Sequence, residues 1–476
     1  MLLQAVPTKQ PLLSDQQRQT IHDGALRILD DIGLEIESDA LRQSLAGYGG
    51  VRVEGSRAYF DGQLVEDLLE RPEPKPWRPP TEERIMLGSG GGMFHIVDPE
   101  TDAIRPMTWD DAIEGTRLVD GMHVVDVHGS CPGTPQDIST EMYTLAEYVI
   151  GALYGRGGGS YVSPCGFTAY EYLFRMHEVM DREPSLPLYV ISPLRLSGES
   201  LELVVHFLPE IKRFSVSSMP MLGATAPIHV PSAFMQSLAE SLGGLAVIKL
   251  LRPDAQVHFG FGAFPIDMKY GSMVYSSPEM NLCDMVRMEM AAFYGTNPFS
   301  GRFIRTMAKR PGVQAAAEKA ASAVAGAMAG ARYFSGAGKL SLDEVFSPEM
   351  LVIDREIADY AERFARGIDV SEEAFEVSIV SEGVEAGSFF GLGSTVDCFR
   401  ETYWFPKLME RRMLGAWLAG GQQDMRDRAR DEMRRLLASY GFSLAQEKAE
   451  ALRELYREAA RVIVGGSGLP EGRQEP

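Results

Sequence analysis

The stretch RFSVSSMPMLGATAPIHVPSAFMQSLAESLGGLAVIKLLRPDAQVHFGFG (residues 213–262) decides the fold class. It opens with a short β-like run, RFSVSSM (213–219), and closes with another, AQVHFGFG (255–262). The residues between them, 231–250, carry a long helical pattern. A strand, a helix and a second strand in this order predict two parallel strands joined by a right-handed crossover.

The same alternation extends over most of the chain. Further β-like runs occur at 122–130, 160–166, 188–193, 299–304, 331–338 and 376–383, and helical runs at 138–154, 199–211, 279–293, 311–329 and 349–366. Eight strand–helix units favour a barrel over an open doubly wound sheet, which usually stops near six strands. We therefore predict an α/β protein with a (β/α)₈ TIM barrel at 116–394. An N-terminal α+β segment (1–115) packs on it, and a C-terminal helical extension and tail (395–476) follow.

The N-terminal segment contains local signals. Ser14 and Asp15 mark the start of a helix that Gly33 ends, and the Pro-rich residues 73–83 predict an exposed connector. MFHIV and AIRPM flank the turn residues 98–102 and predict a β-hairpin. The glycine run 88–92 is typical of a flexible loop, and no Gly-Lys-Ser/Thr follows it, so we do not expect a phosphate loop.

Charge and composition exclude several classes of protein. The 476 residues include 66 acidic and 46 basic side chains, giving a net charge of -20, and no basic stripe is present to bind nucleic acid. The four cysteines contain no C-x-x-C pair, which suits a reducing cytosol. Neither a signal peptide nor a membrane span is predicted. We expect a cytoplasmic protein that is a homo-oligomer.

In a barrel, functional groups come from the carboxyl ends of the strands and the loops beyond them. Applied to the predicted strands, this rule selects the following candidates: His128, Ser192, Arg195, Met221, Thr225, His258, Phe259, Phe261, Phe264, Tyr270, Tyr333, Phe334 and Phe389.

Metal and thiol chemistry have weak support in the sequence. Zinc, or a Cys/His nucleophile pair, would have to assemble from Cys131, Cys165 and His258 on different strands, and no spacing favours either. His123 and His128 are five residues apart on one predicted strand, so we expect them to face opposite sides. We predict no metal site.

The resemblance to a known family enters in the central region. SPLRLSGESLELVVHF (192–207), MPMLGATAPIHVPSAFMQSLAESLGG (219–244) and SSPEMNLCDMVRMEMAAFYGTNPF (276–299) resemble the trimethylamine methyltransferase family in order and spacing. The similarity extends to ALRILDDIGLEI near the start, to 98–112 and to 346–368. This collinear run over more than 300 residues identifies the chain as a member of that family.

The resemblance implies a TIM barrel that moves a methyl group from a methylated amine to the cobalt of a corrinoid (cobalamin type), usually carried by a separate small protein. Family members that act on trimethylamine contain pyrrolysine, whereas this chain contains only standard residues. It therefore resembles the non-pyrrolysine branch, which includes enzymes that demethylate glycine betaine and related quaternary amines. DVHGSCPG has Cys131 where a corrinoid-binding Asp-x-His-x-x-Gly loop has glycine, so we expect no tightly bound cobalamin.

Two departures from the family pattern put the substrate in question. Relatives commonly read Thr-Asp-x-Lys-x-x-Asp-x-Gln where residues 306–314 read TMAKRPGVQ, so both acidic positions are lost. Relatives often carry histidines where residues 386–392 read AGSFFGL. These losses imply a different substrate or a lapsed activity.

The candidates receive roles from the chemistry of a quaternary amine. Ring faces hold such a cation by cation–π attraction, which assigns substrate contact to Phe259, Phe261, Phe264, Tyr270, Tyr333, Phe334 and Phe389. A substrate carboxylate would bind an arginine, with Arg195, Arg302 and Arg305 as candidates. His258 and His128 are the catalytic candidates, and Ser192, Met221 and Thr225 are expected to contact the corrinoid. Two alternatives stay open: a betaine-binding protein without turnover, and another TIM-barrel methyltransferase that uses cobalamin or folate.

Overall fold

The computed structural model describes residues 4–5, 10–69, 84–160, 166–296 and 300–476. Its helices are α1 (Asp15–Asp31), α2 (Asp39–Leu45), α3 (Gly62–Leu68), α4 (Trp109–Gly121), α5 (Tyr143–Tyr154), α6 (Phe167–Val179), α7 (Glu199–Phe207), α8 (Val230–Leu251), α9 (Pro278–Phe293), α10 (Val313–Met328), α11 (Pro348–Arg366), α12 (Val377–Ala386), α13 (Gly393–Thr402), α14 (Leu414–Ala419), α15 (Met425–Ala438) and α16 (Gln446–Ile463). The predicted helical runs from 138 to 366 all contain one of these helices, within a few residues of the expected ends.

The strands are short and are distributed over several sheets. They are β1 (Gln4–Ala5), β2 (Leu34–Ile36), β3 (Val51–Glu54), β4 (Arg57–Phe60), β5 (Met86–Ser89), β6 (His95–Val97), β7 (Ile104–Pro106), β8 (Val127–Gly129), β9 (Ser185–Val190), β10 (Arg195–Leu196), β11 (Arg213–Ser218), β12 (Gln256–Phe259), β13 (Ile266–Asp267), β14 (Ser272–Met273), β15 (Ser300–Gly301), β16 (Tyr333–Ser335), β17 (Lys339–Leu340), β18 (Val345–Phe346) and β19 (Ile368–Asp369).

One parallel sheet has the order β12-β11-β9. Its buried face carries Val216, Leu188 and Val190, and α8 packs there so closely that a Cβ on Gly244 would lie 2.6 Å from Val216 Cγ1. Among the described residues, α8 is the one helix long and apolar enough to cross a membrane, and most of it is buried in the protein. Its apolar composition therefore follows from its place in the core.

The second parallel sheet has the order β15-β16-β5-β8. Leu87 and Phe334 lie side by side on its buried face. The prediction of a flexible loop at 88–92 is wrong at its start, because Gly88 belongs to β5 and any side chain there would collide with the Tyr333 hydroxyl. A strand from the predicted N-terminal segment thus pairs with β8 and β16 in this sheet.

The predicted eighth strand is wrong. Residues 377–386 form α12, whose apolar residues recur at the helical spacing of Val377, Val380 and Val384. Phe389 consequently follows a surface helix and lies at no strand end. The predicted strand at 160–166 lies almost entirely outside the described residues, and the predicted sixth strand is reduced to β15.

Both parallel sheets belong to an α/β architecture, and within the described residues no hydrogen-bonded ladder joins one to the other. The predicted hairpin is confirmed, since β6 and β7 pair antiparallel in a mixed sheet with β18 and β17. The predicted first helix is also confirmed, because Ser14 and Gln17 form a reciprocal capping box at the start of α1. The C-terminal helices α15 and α16 pack on α11, α4 and α6.

Candidate functional site

A cavity of about 590 Å³ lies at the carboxyl ends of strands from both parallel sheets. Its lining residues are Ser217, Ser218, Met219, Phe259, Gly260, Phe261, Phe264, Tyr275, Arg287, Ala291, Thr296, Ser300, Gly301, Arg302, Arg305, Tyr333, Ser335 and Asp343. The volume is within the range of ordinary small-molecule sites. Four predicted substrate residues, Phe259, Phe261, Phe264 and Tyr333, therefore line one cavity.

The two sheets contribute to this cavity from the faces that carry no helix. Ser217 alternates with the α8-facing Val216 along β11, and Tyr333 alternates with the buried Phe334 along β16. Because Ser217 and Tyr333 line the same cavity, these two faces are turned toward each other.

Aromatic rings make up one side of the cavity. The rings of Phe259 and Phe261 lie 6.1 Å apart and both pack against Tyr294, at 5.3 and 5.8 Å between centroids. Beyond β12 the chain stays parallel to the segment that follows β11, and the Phe264 N–H donates to the Pro220 carbonyl there (3.0 Å). Main-chain hydrogen bonding and ring packing thus fix where these rings lie.

Arginines lie against the same rings. The Arg302 guanidinium carbon is 4.5 Å from the Phe264 ring centroid, and that of Arg305 is 4.6 Å from the Tyr275 ring centroid. Both distances are within the range of cation–π attraction, so the ring faces and the cations already stabilise each other.

A buried carboxylate orients Arg302. Asp284, on α9, accepts hydrogen bonds from Arg302 Nη2 (2.7 Å) and from the Arg302 N–H (2.9 Å), while Arg287 Nε lies 3.5 Å away. Burial alone would raise the pKa of Asp284, but the two guanidinium groups outweigh it and hold that pKa below its usual value. Arg302 Nε is buried and has no hydrogen-bond partner within the described part of the chain.

The cavity lining carries an excess of positive charge. Arg305 Nε donates to the Ser335 carbonyl (3.4 Å), and Arg305 Nη1 lies 3.7 Å from Asp343. Three guanidinium groups (Arg287, Arg302 and Arg305) thus face two carboxylates (Asp284 and Asp343). One positive charge remains, which favours a ligand with an anionic group.

Neither catalytic histidine candidate lines this cavity. His258 pairs with Ser215 in the sheet register and is exposed. His128 packs edge-on against His123, with 4.5 Å between ring centroids, so the expectation that they face opposite sides is wrong. His123 lies in a 3₁₀ turn before β8, and Asp126, between the two histidines, has a left-handed backbone conformation. The chain therefore changes direction there, which brings the two rings together. Burial and the neighbouring His123 lower the pKa of His128.

Four predicted substrate residues lie elsewhere. Tyr270 is 73% exposed in the turn between β13 and β14, and its ring contacts Lys269. Phe334 is fully buried against Phe303, Phe389 is half exposed after α12, and Arg195 is exposed on β10, which pairs with β2.

The three residues expected to contact the corrinoid lie around a buried carboxyl group, Glu240 of α8. Ser192 Oγ donates to Glu240 Oε2 (2.8 Å), and Gln236 Nε2 bridges Glu240 Oε1 (2.9 Å) and the Thr225 carbonyl (2.8 Å). The Met221 N–H donates to Thr225 Oγ1 (2.9 Å). Burial raises the pKa of Glu240. These hydroxyls are engaged inside the protein and brace the loops at the sheet ends.

The two buried cysteines, Cys131 and Cys283, show no sign of thiolate chemistry, because burial raises the pKa of each thiol. Cys131 is buried, its thiol donates to the Gly133 carbonyl (3.1 Å), and burial raises its pKa to about 12. Cys165 lies outside the described residues. Within the described ranges, no three His, Cys, Asp or Glu side chains are grouped to hold a metal ion.

The sequence interpretation missed Tyr275, Asp284 and Arg287. They lie on α9 or just before it, and α9 lies between β12 and β15 along the chain. The sequence prediction considered only residues at the ends of strands, so it did not select residues of this helix. A usable signal was present, because Asp284 and Arg287 are three residues apart and therefore share one face of α9.

Comparison with known proteins gives the family. The family model for trimethylamine methyltransferase (MTTB) matches residues 2–150 and 174–461. The chain belongs to the trimethylamine methyltransferase family. The resemblance inferred from the sequence is thereby confirmed over nearly the whole chain.

Relatives of two kinds are similar over full length. Trimethylamine methyltransferase MttB of Desulfitobacterium hafniense (strain DCB-2) is 26% identical, over 94% of this chain and 93% of its own. Glycine betaine methyltransferase of D. hafniense (strain Y51) is 23% identical, over 91% of this chain and 93% of its own. Trimethylamine methyltransferase MttB of Methanosarcina thermophila is 32% identical, but the match spans about half of each chain (51% and 50%). The glycine betaine relative agrees with the non-pyrrolysine branch.

Among solved structures, the monomethylamine methyltransferase MtmB of Methanosarcina barkeri aligns over 92% of this chain and 96% of its own. The TM-score is 0.40 and the sequence identity is 11%.

Proposed function

We propose that this protein transfers a methyl group from a carboxylated quaternary amine, a betaine, to the cobalt of a corrinoid carried by a separate protein. The observation that carries the proposal is the cavity in which Phe261, Phe264 and Tyr333 lie beside Arg302 and Arg305. Family membership supports methyl transfer. The cavity supports the substrate class.

We also propose that the two parallel sheets are two arcs of one (β/α)₈ barrel. Their helix-free faces share the cavity, and strand ends from both arcs line it. Ligands of such barrels bind at the carboxyl ends of the strands, which is where this cavity lies.

The substrate's two charges fit two parts of the cavity. A trimethylammonium group has no hydrogen-bond donor and is held by ring faces, here those of Phe261, Phe264 and Tyr333. The carboxylate would pair with the guanidinium groups of Arg302 and Arg305, which both line the cavity. A quaternary amine without a carboxylate would meet the excess guanidinium charge uncompensated, so the lining disfavours it.

The proposed reaction needs little acid–base catalysis from the protein. A quaternary ammonium leaves as a neutral amine, so no general acid has to protonate it. The corrinoid supplies the nucleophilic cobalt that accepts the methyl group. The residues of the cavity exclude water from the cation and orient its N–CH₃ bond, so their contribution is to position the substrate.

We propose that this chain does not hold the corrin itself. The cavity volume suits the amine alone, and the hydroxyls of Ser192 and Thr225 are engaged in internal hydrogen bonds. We therefore assign to this chain the binding of the amine, and we propose that the corrinoid reaches the cavity mouth on its own carrier.

The test compares matched amines that differ in the carboxylate. Glycine betaine, carnitine and proline betaine are titrated calorimetrically beside choline, tetramethylammonium and trimethylamine. Each is then assayed spectrophotometrically for methylation of reduced cobalamin. We expect a carboxylated amine to bind and react, and choline to bind at least about tenfold more weakly.

The outcomes separate the alternatives. Equal affinity for choline and the carboxylated amines would remove the role given to Arg302 and Arg305. Binding of a betaine without any methyl transfer would favour a binding protein, and reaction of trimethylamine alone would overturn the branch assignment.

A further inference from the structure

A buried histidine of the N-terminal segment belongs to a hydrogen-bonded series of side chains that ends behind the cavity. His22, on α1, is fully buried, and its Nδ1 lies 2.8 Å from the Tyr294 hydroxyl oxygen. Its Nε2 is hydrogen-bonded to a carboxylate oxygen of Glu66, on α3. The Glu66 side chain is 26% exposed, so the three groups connect the protein surface to the interior.

The partners of His22 define which ring nitrogen carries the proton. An ionised carboxylate only accepts hydrogen bonds, so Nε2 is the nitrogen that donates to Glu66. In a neutral imidazole Nδ1 is then an acceptor, and the Tyr294 hydroxyl donates to it. Two side chains of the N-terminal segment therefore determine where the Tyr294 hydroxyl lies and which way it points.

Tyr294 stands directly behind the aromatic side of the cavity. It follows α9 and is buried, and its ring lies 5.3 Å from the Phe259 ring and 5.8 Å from the Phe261 ring. The pair with Phe259 is edge-to-face, which is an arrangement that aromatic rings prefer. Phe259 and Phe261 line the cavity, so Tyr294 acts on a ligand through these two rings.

Packing alone gives no reason for a histidine at this position. Replacing both partners of a buried hydrogen bond by apolar groups of the same shape is nearly neutral for stability. A hydrogen bond differs from apolar packing in being directional, so it fixes a ring that could otherwise slide over its neighbours. The backbone around His22 is itself held in place, because Glu289 of α9 accepts the N–H groups of Leu12 (2.6 Å) and Leu13 (2.9 Å) just before α1.

We propose that His22, supported by Glu66, is a positioning residue for the amine cavity. Through the Tyr294 hydroxyl it holds Phe259 and Phe261 in place in the cavity wall. The inference rests on the proposed function in one respect, namely that these rings face a quaternary amine. Cation–π attraction requires the cation within about 6 Å of a ring centroid, so a displaced ring weakens binding.

The experiment separates the two hydrogen bonds of His22. His22→Asn puts an amide at the position of Nδ1 and keeps a partner for Tyr294, whereas His22→Gln puts one near Nε2 and keeps only the bond to Glu66. Both replace the imidazole by an amide, so each controls for the loss of the ring. Tyr294→Phe removes the hydroxyl alone. Its control is Tyr456→Phe, because Tyr456 is a buried residue of α16 whose hydroxyl donates to the Gly468 carbonyl (2.6 Å) outside the cavity.

The first measurement is calorimetric titration with glycine betaine, carnitine and proline betaine. For a betaine that binds the wild type, His22→Gln and Tyr294→Phe should each raise the Kd about fivefold, the low end of the effect of losing a ring. His22→Asn and Tyr456→Phe should change the Kd by less than about twofold.

The second measurement needs no ligand. The amides of Gly260 and Gly262 donate to β11 (2.8 Å) and to α8 (3.0 Å), so hydrogen exchange of residues 256–264 reports on the segment that carries the two rings. Exchange there should be about tenfold faster in His22→Gln and Tyr294→Phe than in the wild type, and unchanged in the two control variants.

The two measurements separate this inference from the proposed function. If the wild type binds no betaine, the proposed function fails, and the exchange data alone decide the role of His22. Unchanged exchange in both His22→Gln and Tyr294→Phe overturns the inference, and so does unchanged affinity of these variants for a betaine that binds the wild type. Equal effects of His22→Asn and His22→Gln would also overturn it, because the bond to Tyr294 would then make no difference.

Discussion

The cavity and residues 368–405, here named the apolar arm, are both rich in aromatic and aliphatic side chains, yet they differ in what lies beside those side chains. In the cavity, Phe264 and Tyr275 are buried and each lies against an arginine. In the arm, Phe375 and Phe390 face water. The difference shows that aromatic composition alone does not identify a site. Burial beside fixed charges distinguishes the cavity, whereas the apolar side chains of residues 368–405 are exposed among carboxylates.

The largest expected effect comes from the buried carboxylate of the cavity. Asp284→Asn leaves Arg302 and Arg287 without their shared counter-charge, and breaking a buried pair of this kind costs about 3–5 kcal/mol. The free energy of unfolding, measured by urea denaturation, should fall by that amount. Asp343→Asn is the matched control: its carboxylate is partly exposed 3.7 Å from Arg305, so we expect a loss of about 0–1 kcal/mol. Equal losses would show that burial beside charge does not distinguish Asp284.

A second prediction uses pH to probe a buried charge next to the cavity. Lys339 is buried, its Nζ donates to the Gly91 carbonyl (3.0 Å), and burial, reinforced by Arg305, lowers its pKa to about 8. Between pH 8 and the ordinary lysine pKa of about 10.4, the unfolded chain binds more protons than the folded one, so stability rises with pH.

Lys339→Met removes this group. From pH 7.5 to pH 10, the wild type should gain about 2–3 kcal/mol of unfolding free energy relative to the variant. Parallel stability curves for the two proteins would mean that Lys339 titrates normally. The arm contains no comparable lysine, since Lys407 follows it and is exposed.

A smaller effect is expected for the rings that hold the cation. Phe261→Leu, Phe264→Leu and Tyr333→Leu should each weaken binding of a responsive betaine by about 1–2 kcal/mol, or five- to thirty-fold in Kd. Tyr270→Leu should leave the Kd unchanged, because that ring lies in an exposed turn outside the cavity. Calorimetric titration measures all four. Unchanged affinity in the three cavity variants, with folding verified by thermal melts, would place the cation elsewhere.

The contrast between the two regions also explains what the sequence could predict. The sequence could predict four of the cavity residues, namely Phe259, Phe261, Phe264 and Tyr333. A strand rich in β-forming residues has an end that can be recognised in the sequence, and parallel strands bring such ends together. The place of Gly88 in a strand could not be predicted, because a run of glycines has the composition of a loop. Nothing in that run indicates the Tyr333 ring, whose close approach requires a glycine at this position.

The errors at Phe389 and at the charged side of the cavity have other causes. The segment EVSIVSEG contains β-branched residues, which favour a strand. Val377, Val380 and Val384 also fit the helical period, and the structure forms a helix there. Asp284 and Arg302 are brought together by the packing of α9 against β15, which no local pattern encodes.

The smallest expected effect on a single chain tests the arm. The Phe390 side chain is 89% exposed, so Phe390→Ser should change the unfolding free energy of the monomer by less than about 0.5 kcal/mol. If the arm joins two copies, the same substitution acts through association. The wild-type Tm should then rise with protein concentration, because a dimer stabilises its folded chains by mass action, and the variant's Tm should rise less. Melts recorded on both sides of the wild-type dissociation concentration separate the two contributions. A variant whose Tm falls equally at every concentration would show that Phe390 packs within its own chain, and the arm would then belong with the core.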